Sequence, residues 1–362
     1  IQAAVDAAVD SDVIKVATGD YTGVQNVPSL NTTYFTATQA VVITKNVTIR
    51  GGYTTAFTDP PDPEANPTTV DAQGQGRVFY VTGYVNPVIE GLRITGGDAA
   101  GLGGASGYDG GGGMYLYEAE AVISNCQVFS NSATYGGGLY LRYSSAALSH
   151  NTVSSNTASG EGGGLYLDHS PAALGGNTVS ANGAINGGEL CLNWSDAVLD
   201  VNTVAGNSAS LYGGGLYLAY SNGALLYDNT IAGNTAATDG GGLYLQYSTA
   251  TLDYNIITAN QAGQNAGGLN LYGSHAALTG NTIAGNTASG DGGGLFLNSS
   301  AAVLVRNGIW SNEAEFGWGG GLEVYDSNAT LEGNVILSNG AYYGGGGAFL
   351  WYGTCLLYTS PS

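Results

Sequence analysis

The residues best suited to acid–base chemistry share two adjacent positions of a repeat. Arg142, Asp168 and Asn193 occupy one of them, and Glu118, Tyr143, His169 and Trp194 occupy the next. If copies of the repeat stack at strand spacing, successive members lie within about 5 Å of one another. Glu118 and Asp168, two copies apart, would then be roughly 9–10 Å apart, near the upper limit for a carboxylate pair that hydrolyses a glycoside with inversion. Glu118, Arg142, Asp168 and His169 are the candidate catalytic set. The plainer reading of the same residues is a salt bridge and polar ladder on a solvated sheet face, and it is preferred.

Aromatic residues are the second feature. Tyr115, Tyr140, Tyr166, Tyr217 and Tyr244 share one outward position, and Tyr143, Trp194, Tyr220 and Tyr247 share another. Such columns offer a platform on which the rings of a polysaccharide stack. They are also good cross-strand pairs that stabilise a sheet. Glu161, Asp239 and Asp291 precede glycine runs and raise the question of Ca²⁺. They fall in non-adjacent copies and cannot pool ligands, so they read as solvated loop acids, with no cofactor implied and Ca²⁺ as the alternative. Zinc spacing, a phosphate-cradling loop and a nucleophile elbow are absent from the sequence.

The positioning elements follow from one motif. Gly-Gly-Gly-Leu-Tyr-Leu occurs at Gly136–Leu141, Gly213–Leu218 and Gly240–Leu245, and variants recur in steps of 25 to 27 residues. A fixed period in this range predicts a solenoid. In the copy starting at Leu139, alternation sends Leu139 and Leu141 inward, then Ala146 and Leu148, then Val153. Three short strands and three corners per coil result. Two asparagine columns, one through Asn151, Asn177 and Asn202 and one through Asn156, Asn182 and Asn207, predict ladders of stacked amides. Ile1–Val9 reads as a short amphipathic capping helix, and the prolines of Thr58–Thr69 as a surface excursion. The expected division is residues 1–110 as cap and irregular first coils, 111–354 as regular coils, and 355–362 as a non-native tail resembling adapter read-through.

Composition narrows the partners. The 362 residues carry 27 acids against 7 Lys and Arg, a net charge of −20. Nucleic acid and anionic membrane surfaces are therefore disfavoured. No apolar run approaches the ~18 residues of a membrane span. Cys126 and Cys191, three copies apart, would sit roughly 14 Å from each other, too far for a disulfide. Sequons at Asn31, Asn46, Asn193, Asn298 and Asn328 matter only in a glycosylating host.

The three-strand period and the asparagine columns resemble right-handed parallel β-helices of the pectin-lyase-like superfamily. Alternation of Val-Ser-Ser-Asn or Ile-Ala-Gly-Asn with Gly-Gly-Gly-Leu is similar to the repeats of polymorphic outer-membrane passengers, bacterial surface proteins. The resemblance implies an all-β fold, a single right-handed parallel β-helix with a short N-terminal helix, at an extracellular or bacterial cell-surface location. The enzymes of this superfamily use Asp clusters with Arg or Lys. Here the regular array holds only Arg142 and Arg306, and the polygalacturonase motifs are missing. The expected function is thus a secreted or surface-displayed structural or adhesive β-solenoid, a monomeric module of a larger chain. It would bind an extracellular glycan or cell-surface partner through its aromatic face. A polysaccharide lyase or glycoside hydrolase is the alternative.

Overall fold

A computed structural model describes residues 1–28, 36–102 and 109–358. The sequon at Asn31 and the last four residues of the expected tail lie outside the described residues; Thr354–Tyr358 forms a strand parallel to Asn328–Glu332. Residues Ile1–Asn182 and Gly183–Ser362 form two compact units.

In the first unit, helix α1 (Gln2–Ala7) buries Val5 and packs on the strand Thr36–Ile43. Lys45 Nζ donates to the carbonyls of Val5, Asp6 and Ala8, satisfying the end of a helix too short to hold itself. Gln25–Pro28 pairs antiparallel with Thr36–Ile43; the other strand pairs described in this unit are parallel.

The coil from Leu139 shows the local logic. Its strands are Leu139–Arg142, Ser145–Ser149 and Thr152–Ser154, and a two-residue segment, Thr157–Ala158, pairs as well. The sequence reading left that fourth segment in a loop. Each of the three corners pairs a left-handed residue, Tyr143, His150 or Ser155, with a buried polar one, Ser144, Asn151 or Asn156. The left-handed residue turns the chain and points its side chain out. The polar residue points in and satisfies the corner backbone.

Stacking then repeats the bond. Asn131 Nδ2 donates to Asn156 Oδ1 at 3.0 Å and Asn156 Nδ2 to Asn182 Oδ1 at 3.1 Å. In the second unit, Asn229, Asn255, Asn281 and Asn307 continue the pattern at 2.9–3.0 Å. A serine ladder, unforeseen from sequence, lines the remaining corner: Ser221 N donates to Ser248 Oγ, and Ser248 N to Ser274 Oγ. Leu, Val and Ile fill the interior between the ladders; Leu243, Leu252 and Ile257 are fully buried.

The first regular coil is seated by Arg77. This arginine is 2% exposed, donates to the carbonyls of Gly110 and Gly111, and lies 5.0 Å over the Tyr115 ring. Burial pulls its pKa down to about 10.

Candidate functional site

Three of the four candidate catalytic residues come together in the first unit. Arg142 and Asp168 are direct partners on adjacent parallel strands, Leu139–Arg142 and Leu165–Asp168. Arg142 Nε lies 3.3 Å from Asp168 Oδ2, and the Tyr140 hydroxyl donates to the same oxygen at 3.3 Å. Asp168 Oδ1 sits 2.7 Å from His169 Nδ1. The carboxylate side chain is 12% exposed and the imidazole 46%, so an inner acid orients an outer base. Burial, then the charge of Asp168, pushes the Tyr140 phenol up. Glu118 holds the same corner one coil before Tyr143, its N–H donating to the Arg142 carbonyl at 3.1 Å, but its carboxylate faces Tyr84, whose phenol it pushes up.

The aromatic columns separate into two kinds. Tyr115, Tyr140, Tyr166, Tyr217 and Tyr244 are buried, contrary to the expectation of an open column. The glycine run folds back over them, which alternation within the strand does not reveal. A Cβ on Gly240, where φ is 68°, would stand 2.9 Å from Tyr244 Cβ, so the first residue of the run must be glycine to lie that close. The residue before a run adds a second cover: Tyr135 packs 5.2 Å from Tyr166, and Tyr212 packs 4.8 Å from Tyr244.

The corner aromatics are open. Tyr143, Trp194, Tyr220 and Tyr247 are exposed and left-handed. In the first unit Tyr143 meets Tyr117 edge-on at 6.4 Å and His169 at 5.3 Å, with Arg142 over its ring. In the second unit Trp194 and Tyr220 stack at 4.8 Å and 9°, and Tyr220 and Tyr247 at 5.6 Å and 21°. Tyr272 closes the series edge-on at 5.4 Å. The sequence reading passed over other exposed rings, such as Tyr227 with Tyr254 and Phe316 with Tyr342.

A polar cleft of about 620 Å³ also opens in the first unit, lined by residues including Arg50, Glu64, Glu90, Arg93, Gln127 and His150. The proline-rich excursion forms one wall, with Pro63 seated against Gly52 and Gly91. Arg50 is paired with Glu90 at 2.7 Å, while the buried Arg93 Nε has no hydrogen-bond partner. The prolines were legible as an excursion; that it walls a cleft was not.

Residues 214–358 match a family model described as a right handed beta helix region. The chain is an all-β parallel solenoid. Residues 84–257 of this β-helix match a second family model, described as periplasmic copper-binding protein (NosD). Among solved structures the β-helix is similar to the periplasmic alginate epimerase AlgG, with 13% identity and a TM-score of 0.47, over 95% of this chain and 85% of that one. The AlgG T265N mutant gives 11% identity and a TM-score of 0.43 over 96% and 85%. No curated protein matches the chain.

The side chains of this β-helix do not fit copper. Among the described residues no three His, Cys, Asp or Glu gather as a metal group. Met114 is fully buried in the core, and burial pushes the Cys126 thiol up to about 12, leaving it protonated. No helix of the described residues is long and apolar enough to cross a membrane.

Proposed function

We propose that this β-helix is a structural and adhesive surface of the cell envelope that binds polysaccharide through its exposed corner aromatics. The observation that carries the reading is the stack of Trp194, Tyr220 and Tyr247. Ring centroids 4.8 Å apart, in planes nearly parallel, match the strand spacing, and Trp194, Tyr220 and Tyr247 remain 54%, 38% and 45% exposed. These large side chains also sit at left-handed backbone, where glycine or asparagine is easier; φ is 51° at Trp194 and 47° at Tyr247. Apolar rings kept on the surface at such positions favour a contact partner. The periplasmic description of the NosD model supports a place beyond the cytoplasmic membrane.

A second reading, an enzyme acting on polysaccharide, is favoured by the Asp168–His169 arrangement. A carboxylate at Nδ1 orients an imidazole for general-base work, and Arg142 would neutralise an acidic sugar beside it.

One experiment separates them. The full chain is mixed with a panel of acidic and neutral polysaccharides, and the polymers are followed by size-exclusion chromatography. Co-elution with an intact polymer, lost in the Trp194→Ala, Tyr247→Ala double variant, supports the adhesive reading. Retention unchanged by that variant refutes the aromatic surface. Polymer shortening that Asp168→Asn abolishes establishes the enzyme.

A further inference from the structure

The cleft beside the proline-rich excursion takes no part in either reading of function. Its floor is the outward row of one sheet. Arg93, Gln127 and Thr152 are direct partners on successive parallel strands, Arg93–Thr95, Gln127–Phe129 and Thr152–Ser154. Alternation buries Ile94, Val128 and Val153 and turns these three side chains outward.

The facing wall is held in place from several sides. Asp62 N donates to the Gly52 carbonyl at 2.8 Å, and Asp59 pairs with Lys15 at 2.6 Å. Pro63 packs so closely that a side chain at Gly91 would meet its ring. The volume between floor and wall, about 620 Å³, falls within the ~300–1,000 Å³ of small-molecule sites.

The charges in the cleft do not cancel in pairs. Arg50 and Arg93 line it, and so do Asp62, Glu64 and Glu90. Arg50 and Glu90 neutralise each other at 2.7 Å. Asp62 Oδ1 accepts the backbone N–H groups of Glu64 and Ala65 at 3.1 and 3.0 Å, which shapes the loop and leaves the negative charge in place. Among the described residues Arg93 forms no ion pair, and its buried Nε has no hydrogen-bond partner. Glu64 forms no ion pair either. Arg93 and Glu64 therefore line one cleft without reaching each other.

A partly buried guanidinium without a partner is costly. A plain anion would suit Arg93 but meet the charges of Asp62 and Glu64. A plain cation would suit the two acids but meet Arg93. A molecule that carries both charges satisfies all three groups.

We propose that the cleft binds a small zwitterion, an α-amino acid or a short peptide, with its carboxylate on Arg93 and its ammonium toward Asp62 and Glu64. A guanidinium holds a carboxylate by two parallel hydrogen bonds, which a lysine in its place would not do. The Gln127 amide, one strand along, adds a further donor. The site is independent of the aromatic surface and of the Asp168–His169 pair.

The test is calorimetric titration of the full chain with the common L-amino acids and with L-alanyl-L-alanine. At least one is expected to bind, and its N-acetylated and C-amidated forms to bind at least tenfold more weakly. Tighter binding of the dipeptide than of L-alanine supports a peptide end as the ligand, and the reverse a free amino acid. Arg93→Gln should weaken binding at least tenfold, and Arg306→Gln, in the second unit, should leave it unchanged. If Arg93→Gln folds poorly, Glu64→Gln on the exposed loop gives a second measurement. It should weaken binding of the zwitterion and spare the N-acetylated form, which has no ammonium. An N-acetylated form that binds as tightly as its parent would make this a simple anion site and overturn the proposal. So would an absence of binding in every titration, or binding unchanged in both Arg93→Gln and Glu64→Gln.

Discussion

The rings of Trp194 and Tyr220 lie 4.8 Å apart and within 9° of parallel, on corner residues that each have φ near 50°. Their neighbours along the chain, Asn193 and Ser195 at one corner and Ala219 and Ser221 at the other, have no rings. The stack therefore exists only through coil-on-coil register. Trp194→Ala should lower affinity for a retained polysaccharide about tenfold, equivalent to ~1.4 kcal/mol. Affinity electrophoresis of the variant against the wild type measures it, and an unchanged mobility would remove Trp194 from the surface.

Covered and open tyrosines should behave oppositely on unfolding. Tyr115 is 2% exposed and stacked between Tyr80 and Tyr140. Tyr115→Ala should cost about 3–5 kcal/mol. Tyr143→Ser, at an exposed corner, should change stability by no more than about 0.5 kcal/mol. Urea denaturation of both variants gives the comparison.

The ladders should fail by whole rungs. Asn255 donates to Leu226 O and to Asn281 Oδ1, and its own Oδ1 accepts both Asn229 N and Asn229 Nδ2. Asn255→Ala strands several buried groups at once, each costing about 1–3 kcal/mol. A loss of at least about 2 kcal/mol is expected. Hydrogen exchange should show it first at the amide of Asn229.

Glu189 should make the protein less stable as pH rises. It occupies the place of the third glycine of a run, is 1% exposed, and its Oε2 has no hydrogen-bond partner. Burial holds its pKa well above the ordinary 4.5. The unfolded chain thus releases this proton as pH passes 4.5 while the folded chain keeps it, so the folded state binds more protons. The stability difference from this group is most favourable below that pH and declines above it, by up to about 1.4 kcal/mol per pH unit. Glu189→Gly should raise stability at neutral pH and flatten the profile from pH 5 upward (roughly the window in which the unfolded carboxylate is ionised). An unchanged slope of melting temperature against pH would show that the carboxyl finds a partner on folding.

Period and alternation made the coils readable: the leucine columns and both asparagine ladders stand where the repeat puts them. Pairing of Arg142 with Asp168 was readable for the same reason, since register carries any residue to the same place one coil on. Alternation fails where a second layer enters. It sends Tyr140 outward, and the glycine run that returns over it cannot be seen from the strand. Glu323 in the covered column was visible only as a substitution, an acid where Tyr217, Tyr244 and Phe296 stand in other coils. Glu189 is the same signal in a glycine column.

The ladders also give the second unit a grammar of whole units. Each Asn there passes its amide proton to an identical acceptor one coil on, with a sequence offset of 26 or 27 residues. Removing residues 243–268 would bring Leu216 against Leu269, Asn229 against Asn281 and Ser221 against Ser274, so the core and both ladders would match like with like. Length in such a chain is quantised. Lineages can lengthen or shorten it by one coil in a single recombination event, while an insertion of a few residues must be thrown outward as a loop.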